Sequence, residues 1–212
     1  MIVALRIYTM EEYLALEAGS DTRHEFIDGE IFPVGEPSRQ DPSEIAPGRS
    51  RPHNHVTAGF VGELRSALLA KGCGCVAYGS DMRVQVDATT QVYPDALVLC
   101  PPVEGPDAMS VTNPVVIVEV QSPSTGSWDL SGKRDVYARL PSVQHYLVAH
   151  VEAWRVEHFR RIRDGSWRVT VHGPDDAINL DAVGVTVSVA AVYAGLDTVG
   201  GAARDAVFRG RG

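Results

Sequence analysis

Two acidic residues sit where a folded chain ordinarily keeps hydrocarbon. Asp95 heads the run Ala96-Leu97-Val98-Leu99, and Glu119 interrupts the run from Val115 to Val120. A carboxylate in apolar surroundings is costly, so each needs a cation, a basic side chain or a metal. Two carboxylates on neighbouring strands offer only oxygen, which suits a hard divalent ion, Mg²⁺ or Mn²⁺. Magnesium takes one or two carboxylates and completes its shell with water and substrate phosphate. Taken singly, either acid reads equally as a strand-edge residue paired with Arg or Lys for structure.

The elements that must hold these acids follow from periodicity. Residues 92–100 and 114–120 are nearly continuous apolar runs, which predicts strands covered on both faces in the middle of a mixed sheet. Further strands are predicted at 75–78, 82–86, 145–150, 153–161 and 167–172. Thr9-Met10-Glu11-Glu12 is a capping box ahead of a short helix over 10–18. Asp28-Gly29, between two apolar runs, predicts a tight hairpin. Val56, Phe60, Leu64, Ala67 and Leu68 share one stripe of a helix over 53–71, and a second helix is predicted over 129–140, closed by Pro141. The Pro- and Gly-rich stretch 35–52 reads as a long surface loop, expected to be mobile, and an apolar segment near 189–196 precedes a frayed tail. These elements make one α/β or α+β domain over 1–196 with one central sheet, and a disordered tail over 197–212.

Composition sets the outer bounds. The chain has 212 residues, 44% of them hydrophobic and 22% charged, which excludes a disordered chain, a collagen and a coiled coil. Nineteen Lys and Arg against 27 Asp and Glu give a net charge of −8, unlike a simple nucleic-acid coat protein. An acidic balance still accommodates a nucleic-acid enzyme whose site is itself acidic. No apolar run is long enough to cross a membrane as a helix, and the start lacks the basic region of a signal peptide. Cys73, Cys75 and Cys100 are too few for a disulfide framework and read as inert thiols in a reducing cytoplasm.

Taken in order, Tyr93-Pro94-Asp95, Glu119-Val120-Gln121 and Asp129-x-x-x-Lys133 resemble the PD-(D/E)XK nuclease superfamily. More closely, the chain is similar to the Uma-type family of restriction-endonuclease-like proteins. The similarity spans most of the chain. It takes in Thr9-Met-Glu-Glu-Tyr-Leu14, the Glu25-Phe-Ile-Asp-Gly-Glu30 hairpin, the helix of His55, Ser80-Asp-Met-Arg-Val84, Tyr93-Pro-Asp-Ala-Leu-Val98, Glu119-Val-Gln-Ser-Pro-Ser-Thr125, the helix from Lys133, and His145-Tyr-Leu-Val148.

The resemblance implies an αβββαβ core, a mixed sheet flanked by helices. It implies an endonuclease that hydrolyses phosphodiester bonds of DNA with Mg²⁺ or Mn²⁺, acting as a homodimer. Asp95 and Glu119 match the metal-binding acids, and Glu25 matches an early acid that completes the site. One departure matters. The motif's Lys falls at position 121, which is Gln121 here, a side chain that orients a water or a phosphate oxygen without carrying charge. In this family the Lys often stands on the following helix, here Lys133, whose flexible stem can reach the same spot. In this reading Asp95, Glu119 and Glu25 hold the ion, Lys133 offsets charge on the phosphorane, and Gln121 positions the attacking water.

Other readings stand beside this one. A catalytically inactive nuclease-like domain that binds nucleic acid or a protein partner fits Gln121 and the acidic balance, and a phosphoesterase of small nucleotides is a third possibility. Lys133 with Asp129 is also an ordinary i,i+4 helix pair. His55 opens a helix and is a candidate substrate contact; Asp81 is either a supporting acid or a turn residue. His53-Asn54-His55 spells the name of another nuclease class, but that class spreads its residues over a ββα-metal unit, so the match is read as accidental. Ser122, Ser124 and Thr125 read as loop or helix cap. Arg155, Arg160, Arg161, Arg163 and Arg168, with Trp154 and Trp167, form a basic, aromatic stretch that is either a phosphate-tracking surface or a plain solvated strand face.

Overall fold

The computed structural model describes residues 6–34, 50–121 and 132–196. In chain order the elements are α1 (Met10–Ala18), β1 (His24–Ile27), β2 (Glu30–Pro33), α2 (Arg51–Lys71), β3 (Val76–Gly79), β4 (Arg83–Asp87), β5 (Thr90–Val92), β6 (Ala96–Leu99), β7 (Ser110–Val111), β8 (Pro114–Gln121), α3 (Lys133–Ala138), β9 (His145–His150), β10 (Arg155–Arg161), β11 (Trp167–His172), β12 (Ala177–Leu180), β13 (Val185–Ser188) and α4 (Val189–Val192).

Local chemistry accounts for the boundaries. The Thr9 side chain accepts from the Glu12 amide while the Glu12 carboxylate accepts from the Thr9 amide, which starts α1. Asp28 and Gly29 take φ of 52° and 86°, closing a turn in which Ile27 pairs with Glu30. The Ser50 hydroxyl caps α2 by accepting from the His53 amide, and Gly72 ends it in the left-handed region at φ 66°.

The central sheet has six strands in the order β11-β10-β9-β8-β6-β3, all antiparallel except the parallel pair β8–β9, which makes it mixed. α3 lies in the crossover between that parallel pair. The succession α2-β3-β6-β8-α3-β9 contains the αβββαβ core that the resemblance implies. A second, five-stranded sheet runs β2-β1-β5-β4-β7, and β12–β13 is a separate hairpin. The sequence reading of a single sheet did not anticipate these two.

Alternation along the central strands explains their continuous apolar character. Val116, Val118 and Val120 of β8 face one core, with Ala96, Val98, Leu147 and the α2 stripe of Val56, Phe60, Leu64 and Leu68. Ile117 faces the other core, with Leu97, Leu99, Tyr146, Val148, and Val136 and Tyr137 of α3. Each buried aliphatic contributes about 1.5–3 kcal/mol, so a carboxylate in this setting is a real exception.

The predicted strand over 92–100 is two strands. Pro94 has no N–H to donate and restricts the residue before it, so the run breaks at Tyr93-Pro94-Asp95. β5 pairs within the five-stranded sheet and β6 within the six-stranded one, so the chain passes between sheets at Asp95. α2 begins at Arg51, two residues before the predicted start and inside the predicted loop. Residues 35–49 of that loop, Asp129 with its pairing to Lys133, Ser122, Ser124, Thr125 and the tail from 197 lie outside the described residues.

The thiol reading is corrected as well. The register Val76 opposite Leu99 sets Cys75 beside Cys100, and the two form a disulfide, leaving Cys73 as a partly buried thiol. Just past α3, Arg139 grips both oxygens of Asp28 at 2.6 and 3.0 Å and reaches Asp87 and Thr90 at 3.3 Å, tying that helix to the five-stranded sheet.

Candidate functional site

Register builds the centre of the site. Ala96 pairs with Val118, so one step further sets Asp95 opposite Glu119 at the end of β6. Glu119 lies on the Ile117 face of β8, toward α3, and Gln121 lies on the same face two residues on. Glu25 comes from the middle of β1, paired with Phe32. Lys133 is the first residue of α3 and Tyr137 stands one turn later, on the same helix face.

These residues converge in a nearly dry space. Glu25 is 5% exposed, Asp95 2%, Glu119 2% and Lys133 6%. The Lys133 ammonium bridges two of the acids, 3.0 Å from Glu25 Oε1 and 3.1 Å from Glu119 Oε1. The Tyr137 hydroxyl donates to the same Glu119 oxygen at 2.8 Å. Burial, then the nearby charges of Glu119 and Glu25, hold that phenol's pKa well above its ordinary value, so it remains a donor. The Tyr93 amide donates to Glu25 Oε1 at 3.2 Å.

Asp95 is held from two sides. Its Oδ2 accepts from the Val120 amide at 2.7 Å and lies 3.2 Å from His53 Nε2, on α2. Three carboxyl groups from three strand segments thus gather with one ammonium, one phenol and one imidazole. Their oxygens are the donors a hard divalent ion requires, and a Mg²⁺ site needs only one or two of them. Among the described residues, no group of three His, Cys, Asp or Glu side chains stands at metal-holding spacing. Lys133 takes the position between Glu25 and Glu119. The donor set therefore fits an ion held by the opposed pair Asp95 and Glu119.

The structure brings Glu25, Asp95, Glu119 and Lys133 together and sets Gln121 beside them on β8. It does not bring His55 or Asp81. His55 Nε2 lies 2.8 Å from the carbonyl of Ala194, because one residue step along α2 turns a side chain by about 100° and two steps carry it off the His53 face. Asp81 is a largely exposed turn acid bound to Arg23 at 2.6 Å. The basic stretch is also largely committed to structure. Arg155 pairs with Glu157 and Arg160 with Asp181, while Arg161 donates to the carbonyls of Ala138, Leu140 and Val143.

The sequence reading met His53 only in the His53-Asn54-His55 match that it set aside as accidental, and it gave Tyr137 no role. Each falls on a helical stripe among core residues and resembles packing. The available signal for His53 was a polar residue at the buried position of the Val56–Phe60 stripe.

A model of the Uma2 family, described as "Putative restriction endonuclease", matches residues 10–191. Two uncharacterized proteins of Synechocystis sp. are similar in sequence. One, slr1290, is 30% identical over 88% of this chain and 91% of its own length. The other, sll1609, is 33% identical over 80% and 90% respectively. The crystal structure of "a putative nuclease belonging to DUF820" from Anabaena variabilis superposes with a TM-score of 0.66, covering 89% of this chain and 98% of that one, at 17% identity. At that identity the likeness speaks for the fold.

Proposed function

Because the chain belongs to the Uma2 family, described as "Putative restriction endonuclease", we propose that it is a metal-dependent endonuclease hydrolysing phosphodiester bonds of DNA. The observation that carries this reading is the meeting, among the described residues, of three buried carboxyl groups, Glu25, Asp95 and Glu119, with the buried ammonium of Lys133. Buried carboxylates are costly unless cations and hydrogen-bond donors balance them, and a divalent ion is a cation that oxygen ligands of this kind accommodate.

Asp95 and Glu119 would hold Mg²⁺ or Mn²⁺, with Glu25 as a direct or water-mediated ligand. When bound, the ion supplies Lewis-acid polarisation of a phosphate oxygen and a lowered pKa for water. The chain's own groups do the rest. The Tyr137 hydroxyl and Lys133 fix the Glu119 carboxylate. Lys133, on its flexible stem, offsets negative charge that grows on the phosphate. The Gln121 amide orients the attacking water.

The test is cleavage of plasmid or short duplex DNA with Mg²⁺ or Mn²⁺. The wild-type chain is expected to cut, EDTA to abolish cutting, and Glu119→Ala to lower the rate by roughly 100-fold or more. Activity that survives Glu119→Ala overturns the assignment. A second reading, a nuclease-like domain that binds nucleic acid without cutting it, is favoured by Gln121 standing where the superfamily motif has Lys. Metal-independent DNA affinity without cleavage by the wild-type chain would select it.

A further inference from the structure

We infer that His53 is a positioning residue, donating from Nε2–H to Asp95 Oδ2 so that this carboxylate is presented to the divalent ion; the inference rests on the metal-dependent reading above. His53 occupies the stripe of α2 that otherwise buries Val56, Phe60, Leu64 and Leu68, and it is 5% exposed. Hydrocarbon packs in such a place more cheaply than an imidazole, so the ring needs a polar reason to be there. Its Nε2 lies 3.2 Å from Asp95 Oδ2, and an ionised carboxylate, the form that ligates a metal, can only accept, so the imidazole nitrogen is the donor.

The same oxygen accepts from the Val120 amide at 2.7 Å. One hydrogen bond leaves a carboxyl group free to swing about its Cβ–Cγ bond. Two donors from different elements, β8 and α2, fix that rotation. The start of α2 is itself fixed, since the Ser50 hydroxyl accepts from the His53 amide at 3.3 Å. The α2 layer thus reaches past the sheet to the acid at the sheet crossing. Outer hydrogen-bond partners of metal ligands typically set affinity by about 10–100-fold.

The experiment titrates Mn²⁺ into the metal-free full chain, read by calorimetry and by the Mn²⁺ electron paramagnetic signal. Near-ultraviolet circular dichroism monitors the fold. The chains compared are wild type, His53→Leu, His53→Gln, His53→Asn and Asp95→Asn. His53→Leu keeps the packing and removes the donor, and Mn²⁺ affinity is expected to fall about 10–100-fold. The Gln amide reaches the ε position and restores most of that loss, whereas the shorter Asn amide does not. A folded His53→Leu chain with wild-type affinity, or equal affinities for the Gln and Asn variants, overturns the role of His53. If Asp95→Asn loses Mn²⁺ in that same experiment, the metal reading stands without it. A wild-type chain that binds no Mn²⁺ overturns the metal reading and this inference with it.

Discussion

The residue on which the site turns is Lys133. Its ammonium touches two buried carboxylates, and removing one partner of a buried ion pair costs about 3–5 kcal/mol because the other charges remain. Lys133→Met is therefore expected to lower the melting temperature of the metal-free chain by roughly 10 °C and to abolish DNA cleavage. Scanning calorimetry with and without EDTA checks the first, and the plasmid assay the second. An unchanged melting temperature would mean that Glu25 and Glu119 do not depend on that cation. Asp95 and Glu119 were legible because each breaks an apolar run, where a charge is conspicuous. Glu25 was not legible from its hairpin alone; it entered through family resemblance. Tyr137 was invisible because a tyrosine on an apolar helix face is ordinary until its hydroxyl is seen on Glu119.

At the scale of elements, α2 is held on both sides, by the central sheet and by α4. A Cβ built on Gly59 would lie 2.1 Å from the carbonyl oxygen of Val192, so the two helices meet backbone to backbone. Helix propensity alone favours Gly→Ala by up to about 1 kcal/mol. Overpacking costs about 1–3 kcal/mol, and here the obstacle is backbone, which cannot rotate away. Gly59→Ala is therefore expected to destabilise the fold on balance by up to about 2 kcal/mol, the overpacking cost less the propensity gain, measurable by urea unfolding. A stabilised variant would show that α4 yields. The sequence made α1, α2 and the β1–β2 hairpin readable, because a capping box, a long stripe and Asp-Gly each carry a local mechanism. It hid the split of β5 from β6, where apolar residues continue through Tyr93-Pro94-Asp95 into a different sheet. It also hid β12–β13, whose buried Ile178 and Leu180 alternate over only four residues, too short a window to show a period.

For the molecule as a whole, acid sensitivity is expected from a ladder of histidines across β9, β10 and β11. His145 Nδ1 lies 2.9 Å from His158 Nε2, and the His158 and His172 ring centroids lie 5.7 Å apart with the planes tilted by 35°. Burial pushes the pKa of His145 down to about 4, with Asp181 opposing and Arg160 assisting; burial and the neighbouring His145 push His158 down to about 4 as well. Burial also lowers His172. All three folded values lie below the ordinary 6.5, so the unfolded chain binds protons first as the pH drops. The stability they confer is complete above pH 6.5 and is lost as the pH falls from there toward 4. Melting temperature is expected to drop across that window and to flatten in a His145→Phe, His158→Phe double variant. A wild-type melting temperature that stays level from pH 7 to 5 would contradict this.

The Arg139 fork has its own consequence at this scale. α3 is six residues long, far too short to persist alone. It is hooked at one end by Lys133 on two acids and at the other by Arg139 on Asp28, like a bar slung between brackets. The amine is thus placed by the two sheets rather than by the helix that carries it, and any shear of one sheet against the other is felt first as misalignment of the amine.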